Sequence, residues 1–140
     1  MPPGRCAVPP PRHHGPVLTT AAIVAFVPST DLARSRAFYE GVLGLEVTSQ
    51  DGFAVVVRAG DVPIRITNVG GELRAQPFTV LGWEVDDVHA EVRELAGRGV
   101  EFLVLEGMGQ DEDAVWTAPD GTRVAWFRDP DGNTLSLDQR

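Results

Sequence analysis

The sequence predicts an α+β domain built from two tandem βαβββ modules, and three observations carry that prediction. Each half opens on a β-branched and aromatic run that gives way to an aspartate and a helix-length amphipathic segment. The spacing repeats: seven residues separate Val24 from Asp31, and seven separate Val80 from Asp87. Each half then continues in short apolar runs punctuated by glycine and aspartate turns, the pattern of successive strands.

Residues 1–20 form a proline-rich leader expected to be disordered, since six of the eleven prolines fall before residue 17 and no hydrophobic period accompanies them. One domain follows over residues 21–138, with module one at about 21–69 and module two at about 78–138. AAIVAFV (21–27) reads as a strand closed by Pro28, and Ser29-Thr30-Asp31 offers side chains to cap the helix after it. LARSRAFYEGVLG (32–44) places Leu32, Ser35, Phe38 or Tyr39, and Val42 or Leu43 at helical spacing, and Gly44 stops it. LEVTSQ, FAVVVRA and VPIRITNV are three strands divided by Asp51-Gly52 and Gly60-Asp61. In the second module FTVLGWEV (78–85) is a strand and Asp86-Asp87 a cap. VHAEVRELAGRG (88–99) is a helix with Val88, Val92 and Leu95 inward. VEFLVL, VWTA, TRVAWFR and TLSL supply the remaining strands, with turns at Pro119-Asp120-Gly121 and Asp129-Pro130-Asp131-Gly132-Asn133.

Composition narrows the chemistry. The net charge is -8, from 12 basic and 20 acidic residues, and all the basic ones are arginine. Without lysine there is no Schiff base and no lysine general base. An acidic chain also lacks the basic patches that nucleic-acid binding uses to neutralise phosphates. No apolar run approaches the ~18 residues of a membrane helix, and no signal-peptide pattern opens the chain, so a cytoplasmic location is expected. Cys6 has no second cysteine to pair with, and His13-His14 on the leader reads as a solvated pair. His89 has no positioned nucleophile beside it in the sequence, and Gly70-Gly71 is a turn with no phosphate-loop pattern around it.

Two such modules, with DLARSRAFYEGVLGLEV after the first strand and FRDPDGNTLSL at the end, resemble the vicinal oxygen chelate superfamily. This is the group of glyoxalases, extradiol dioxygenases and bleomycin-resistance proteins, and the resemblance spans residues 21–138. It implies a mixed sheet curled around a central cleft, with the helices on the convex face, and a homodimer in which a second chain completes the cleft. It also implies where metal ligands would stand, namely at Val24, Arg65, Val80 and Ser136. None of these is the histidine, glutamine or glutamate the family uses there. Valine offers no lone pair, arginine repels a cation and serine alone is a weak ligand. A slip of one residue brings Ile23, Ala25, Thr79 or Leu81, so neither a metal nor another cofactor is expected.

Strand alternation places Phe26 beside Val24 on the inner face, and Phe78, Gly82 and Glu84 beside Val80, leaving Leu81, Trp83 and Val85 to pack on the second helix. Trp116 and Trp126 either bind a flat or cationic ligand or fill the core. An inward Arg65 needs a partner, either a carboxylate such as Glu84 or an anionic ligand group. The acidic run Asp111-Glu112-Asp113 would give the cleft mouth negative charge. The expected ligand-binding set is thus Val24, Phe26, Arg65, Phe78, Val80, Glu84, Trp116, Trp126 and Ser136. The function expected is metal-free binding of a small organic molecule, of the kind by which bleomycin-resistance proteins sequester an antibiotic. A metal-free lyase, isomerase or cyclase with Arg65 as anchor and Glu84 as base is the alternative. A metal-dependent glyoxalase or dioxygenase comes third.

Overall fold

The computed structural model describes residues 17–140; Cys6 and the His13-His14 pair lie outside them. Module one runs β1 (Ala25–Ser29), α1 (Leu32–Arg36), β2 (Glu46–Gln50), β3 (Ala54–Ala59) and β4 (Val62–Asn68). Module two runs β5 (Thr79–Glu84), α2 (Val88–Gly97), β6 (Trp116–Thr117), β7 (Arg123–Arg128) and β8 (Thr134–Gln139). The strands form two four-stranded sheets, ordered β1-β4-β3-β2 and β5-β8-β7-β6. In each, the first strand pairs in parallel with the last, and the other pairs are antiparallel. The repeat seen in the sequence is therefore a repeat of topology, and β1 and β5 meet where the sheets adjoin.

Both helices start on the predicted caps. The Asp31 carboxylate accepts from the Arg34 amide at 3.1 Å and the Asp87 carboxylate from the Ala90 amide at 3.1 Å, each satisfying a donor that the first turn leaves unpaired. After Arg36 the first helix widens into π-type turns over Ala37–Val42, where the Leu43 amide reaches back five residues to the Phe38 carbonyl at 2.9 Å. This register buries Tyr39 fully and leaves Phe38 only partly covered. Alternate residues of every long strand enter a single apolar core with the helices: Val27, Val57 and Ile66 from module one, Phe127, Leu135 and Leu137 from module two. Trp83 packs against this core, stacked on Phe127 with centroids 6.4 Å apart.

VEFLVL does not form a strand. Only Phe102 bridges to Phe127, and β6 is two residues long. The reason lies in Gln110, whose amide donates to the Leu103 carbonyl at 2.8 Å and accepts from the Leu105 amide at 2.6 Å. One side chain thus takes the backbone groups that a neighbouring strand would have taken.

The Asp129-to-Asn133 turn joins the modules. The Asp129 carboxylate accepts from the Tyr39 hydroxyl at 2.6 Å, the Asp131 amide at 3.0 Å, and the Asn133 amide and side chain at 2.9 and 2.8 Å. The Asn133 side chain also donates to the Pro28 carbonyl at 2.9 Å. Asp131 in turn accepts from Thr30, Arg34 and Ser35. Burial, the Asp129 charge and this hydrogen bond push the Tyr39 phenol well above the ordinary tyrosine range, so it stays a donor. Burial pushes the Asp131 carboxyl up, but hydrogen bonds from Thr30, Ser29 and Ser35 outweigh it and leave its pKa below the usual value.

Two outcomes follow for stability. Tyr39→Phe removes a buried donor from Asp129 and is expected to cost about 1–3 kcal/mol in urea unfolding; an unchanged midpoint would mean the turn does not need this bond. Because the Asp131 pKa is depressed, the stability it brings is complete above the ordinary carboxylate value of about 4 and is lost as pH falls through its lower folded value. Thermal melts between pH 6 and 2.5, roughly the carboxylate range, should show a shallower acid-side decline in Asp131→Asn than in the parent protein.

Candidate functional site

Each sheet has one face on the core and helices and another that is open. On the module-one sheet the strand register places Phe26 opposite Arg65, Arg65 opposite Val56, and Val56 opposite Ser49. Phe26 is 63% exposed and Val24 45% exposed, with Ile23 and Phe53 also open to solvent. Large apolar side chains are costly to leave in water. Among the described residues no carboxylate forms a salt bridge with Arg65. Its charge contributes to holding the Asp51 carboxyl below its usual range, after hydrogen bonds to Asp51 from the Phe53 and Ala54 amides.

On the module-two sheet the open face is built of two rows. Gly82 lies opposite Ser136 and Ser136 opposite Trp126; Glu84 lies opposite Asp138, Asp138 opposite Val124, and Val124 opposite Trp116. The Trp116 and Trp126 rings stand with centroids 6.0 Å apart and planes tilted by 32°. The Ser136 hydroxyl donates to Asp138 Oδ1 at 2.6 Å, and Ser136 is almost wholly buried. Gly82 is required beside it: a Cβ at position 82 would lie 2.5 Å from Ser136 Oγ, closer than van der Waals contact allows.

The register of β5 is not uniform. Thr79 pairs with Thr134 and Leu81 with Leu135, so Val80 is an extra residue bulged out of the ladder. Strict alternation puts Val80 and Gly82 in one series, but the bulge turns Thr79 to the open face. There its hydroxyl accepts from the Trp126 indole N–H at 3.1 Å. Phe78 and Val80 are exposed at the strand entrance. Glu84 is two-thirds exposed, and its charged neighbour is Arg140, 3.8 Å away, in place of Arg65.

The Asp111–Asp113 run does not border these faces. Asp111 bonds His89 Nε2 at 2.8 Å and Asp113 bonds Arg93 at 3.0 Å, which seats the loop on α2. The Asp111 carboxylate also accepts from the Val115 and Asp113 amides, and these bonds with that from His89 outweigh burial and lower its pKa. The predicted acidic mouth is thus a loop clasp on the helical side. The sequence reading gave no role to Thr79 or Asp138. The signal for Asp138 was present, since it follows Ser136 by two residues on one strand and shares its face.

A divalent metal does not fit the positions at which the family would hold one. The register sets Phe26 opposite Arg65 and Gly82 opposite Ser136, so stepping two residues along β1 or β5 from the valines supplies no donor either. Among the described residues no three histidine, cysteine, aspartate or glutamate side chains cluster as a metal site would require. No helix in the described structure is long and apolar enough to cross a membrane.

Comparison with known proteins agrees on the fold and diverges on activity. The bleomycin resistance determinant encoded on transposon Tn5 superposes with a TM-score of 0.68 at 25% identity, covering 86% of this chain and 98% of that one. The lactoylglutathione lyase of Agrobacterium tumefaciens gives 0.63 at 18% identity, covering 86% and 93%. The oxidase ChaP-H2 gives 0.63 at 23% identity, covering 88% and 95%. No protein with a curated description matches the sequence. The family model of the glyoxalase/bleomycin resistance protein/dioxygenase superfamily matches residues 20–137, nearly the whole described chain, and the protein belongs to that superfamily.

Proposed function

We propose that this protein binds a small organic molecule on the open faces of its two sheets without a metal, in the manner of a sequestering member of the superfamily, and that it does so in the cytoplasm as a homodimer. The observation that carries the reading is the content of those faces. Phe26, Trp116 and Trp126 present aromatic surface, Arg65 offers a guanidinium with no carboxylate bridged to it among the described residues, and the family's ligand positions hold no histidine, cysteine or carboxylate. The likeness to the Tn5 bleomycin resistance determinant supports the same reading. A catalytic reading would pair Arg65 with Glu84 as base. Glu84 is instead two-thirds exposed, lies on the other sheet from Arg65, and has Arg140 as its charged neighbour at 3.8 Å. The homodimer rests on the exposed apolar side chains Ile23, Val24 and Phe26 at and before β1, which a second copy would cover.

Light scattering at micromolar concentration is expected to report a dimer, and a strictly monomeric species would remove that part of the proposal. Purified protein should carry no stoichiometric zinc, nickel, manganese or iron, and chelator should leave its melting temperature unchanged; one metal per chain by elemental analysis would defeat the metal-free reading. A molecule found by thermal-shift screening should quench the tryptophan emission saturably and be recovered with its mass unaltered. For a ligand carrying a carboxylate or carbonyl, Arg65→Ala should weaken binding by about one to two decades, the loss of one charge-assisted hydrogen bond. Arg65→Lys should restore only part of that affinity, since an ammonium lacks the planar fork.

A further inference from the structure

The bulge at Val80 decides which side chain of β5 meets the module-two tryptophans. In an unbulged strand Val80 would share the open face with Gly82, and valine offers no acceptor. With Val80 out of the ladder, Thr79 pairs with Thr134 and turns its hydroxyl to that face. β8 lies between the strands that carry Thr79 and Trp126, and Trp126 pairs with Ser136. The 3.1 Å bond from the indole N–H to the Thr79 hydroxyl oxygen therefore spans β8 on a diagonal, from the Ser136 row to the Thr134 row.

That bond uses the ring's polar capacity completely, because an indole has one donor and no acceptor. A molecule arriving on this face meets the π surface of Trp126 and not its N–H. The neighbours leave the ring room to turn. In the row Gly82, Ser136, Trp126, glycine presents no side chain and serine a small one. Room of that kind admits more than one rotamer, and the Thr79 bond favours a single one. Trp126 makes no second side-chain hydrogen bond among the described residues, and its ring neighbour is Trp116, at 6.0 Å with planes tilted by 32°. A surface ordered before a ligand arrives spares the cost of ordering it on binding.

We infer that Thr79 is a positioning residue: turned outward by the bulge at Val80, it holds the Trp126 indole across β8, so that this part of the surface is preorganised and presents a π face with its donor withdrawn. The inference rests on the proposed small-molecule binding and adds a residue that acts on it through Trp126.

The test follows the indole protons by NMR on the full chain, and the Trp116–Trp126 pair by the exciton couplet that two close, tilted rings give in circular dichroism. Trp116→Phe should remove the couplet and so identify it. Thr79→Val keeps the shape and loses the acceptor. The Trp126 indole proton should then exchange with solvent roughly fivefold faster than in the parent protein, the loss of one neutral hydrogen bond, and the couplet should shrink. Thr79→Ser should keep both near their parent values. An unshifted indole proton of Trp83, which packs on the core, shows that each variant is folded. Caffeine, a neutral flat molecule without a donor, is the binding probe, and its affinity should fall about fivefold in Thr79→Val and stay level in Thr79→Ser. Exchange, couplet and caffeine affinity all unchanged in a folded Thr79→Val overturn the positioning role and leave small-molecule binding standing. Altered exchange and couplet with unchanged caffeine affinity overturn the part of Thr79 in recognition. If caffeine shifts neither the Trp116 nor the Trp126 resonance saturably in the parent protein, the tryptophan face is not a binding surface, and the functional proposal for it falls together with that part.

Discussion

The buried carboxylate of Asp129 is the constraint on which the relative placement of the two modules depends. A charge removed from water is tolerated only when each of its lone pairs is satisfied. Here that takes one donor from α1's continuation, Tyr39, and three from its own turn, the Asp131 amide and both donors of Asn133. Because the donors come from both modules, the charge is stable only when the modules are docked in one way. The neighbouring Asp131 and Asn133 extend the same logic to Thr30 and to the Pro28 carbonyl at the end of β1. The tight turn read from the sequence is thus also a polar clamp between the modules.

Docking fixes which faces are used up and which remain. Once the helices and inner strand residues have formed a common core, each sheet has spent one side of its alternation. The remaining sides hold what the core rejected: Arg65, Ser136 and Asp138, together with aromatics that face solvent. The two modules share topology but not the chemistry of these open sides. Module one presents a cation among aliphatic and phenyl groups, and module two presents acceptors beside indoles. Duplication of the backbone thus leaves a surface with two dissimilar halves.

What could be read from the sequence was what local chemistry decides. Asp31 and Asp87 cap their helices because a carboxylate before a helical run has a nearby amide to accept from, whatever the rest of the chain does. The placing of Phe26 and Arg65 together on the face away from the buried Val27, Ile64 and Ile66 follows from two-residue alternation in unbroken strands. The failures share one cause, which is dependence on a partner distant in sequence. Gln110 replaces a strand by bonding to Leu103 and Leu105, and nothing in VEFLVL announces that. The bulge at Val80 depends on how β5 is laid against β8, so alternation counted along one strand could not show Thr79 turning toward Trp126. Asp138 lies two residues beyond Ser136 on β8, so the same counting along one strand reaches it.

The acidic loop shows why net charge is a poor guide to what a site prefers. An excess of carboxylates invites the expectation of a cationic ligand at the Asp111–Asp113 run, yet those side chains are committed to His89, Arg93 and backbone amides on the helical side. Charges beyond a Debye length of roughly 8 Å are largely screened at physiological salt. On the open faces the signs differ between sheets: Arg65 on one, Asp138 on the other. A net charge of -8 therefore does not report the sign of charge presented by each sheet. Strand register decides the face each charged side chain occupies, which composition alone cannot do.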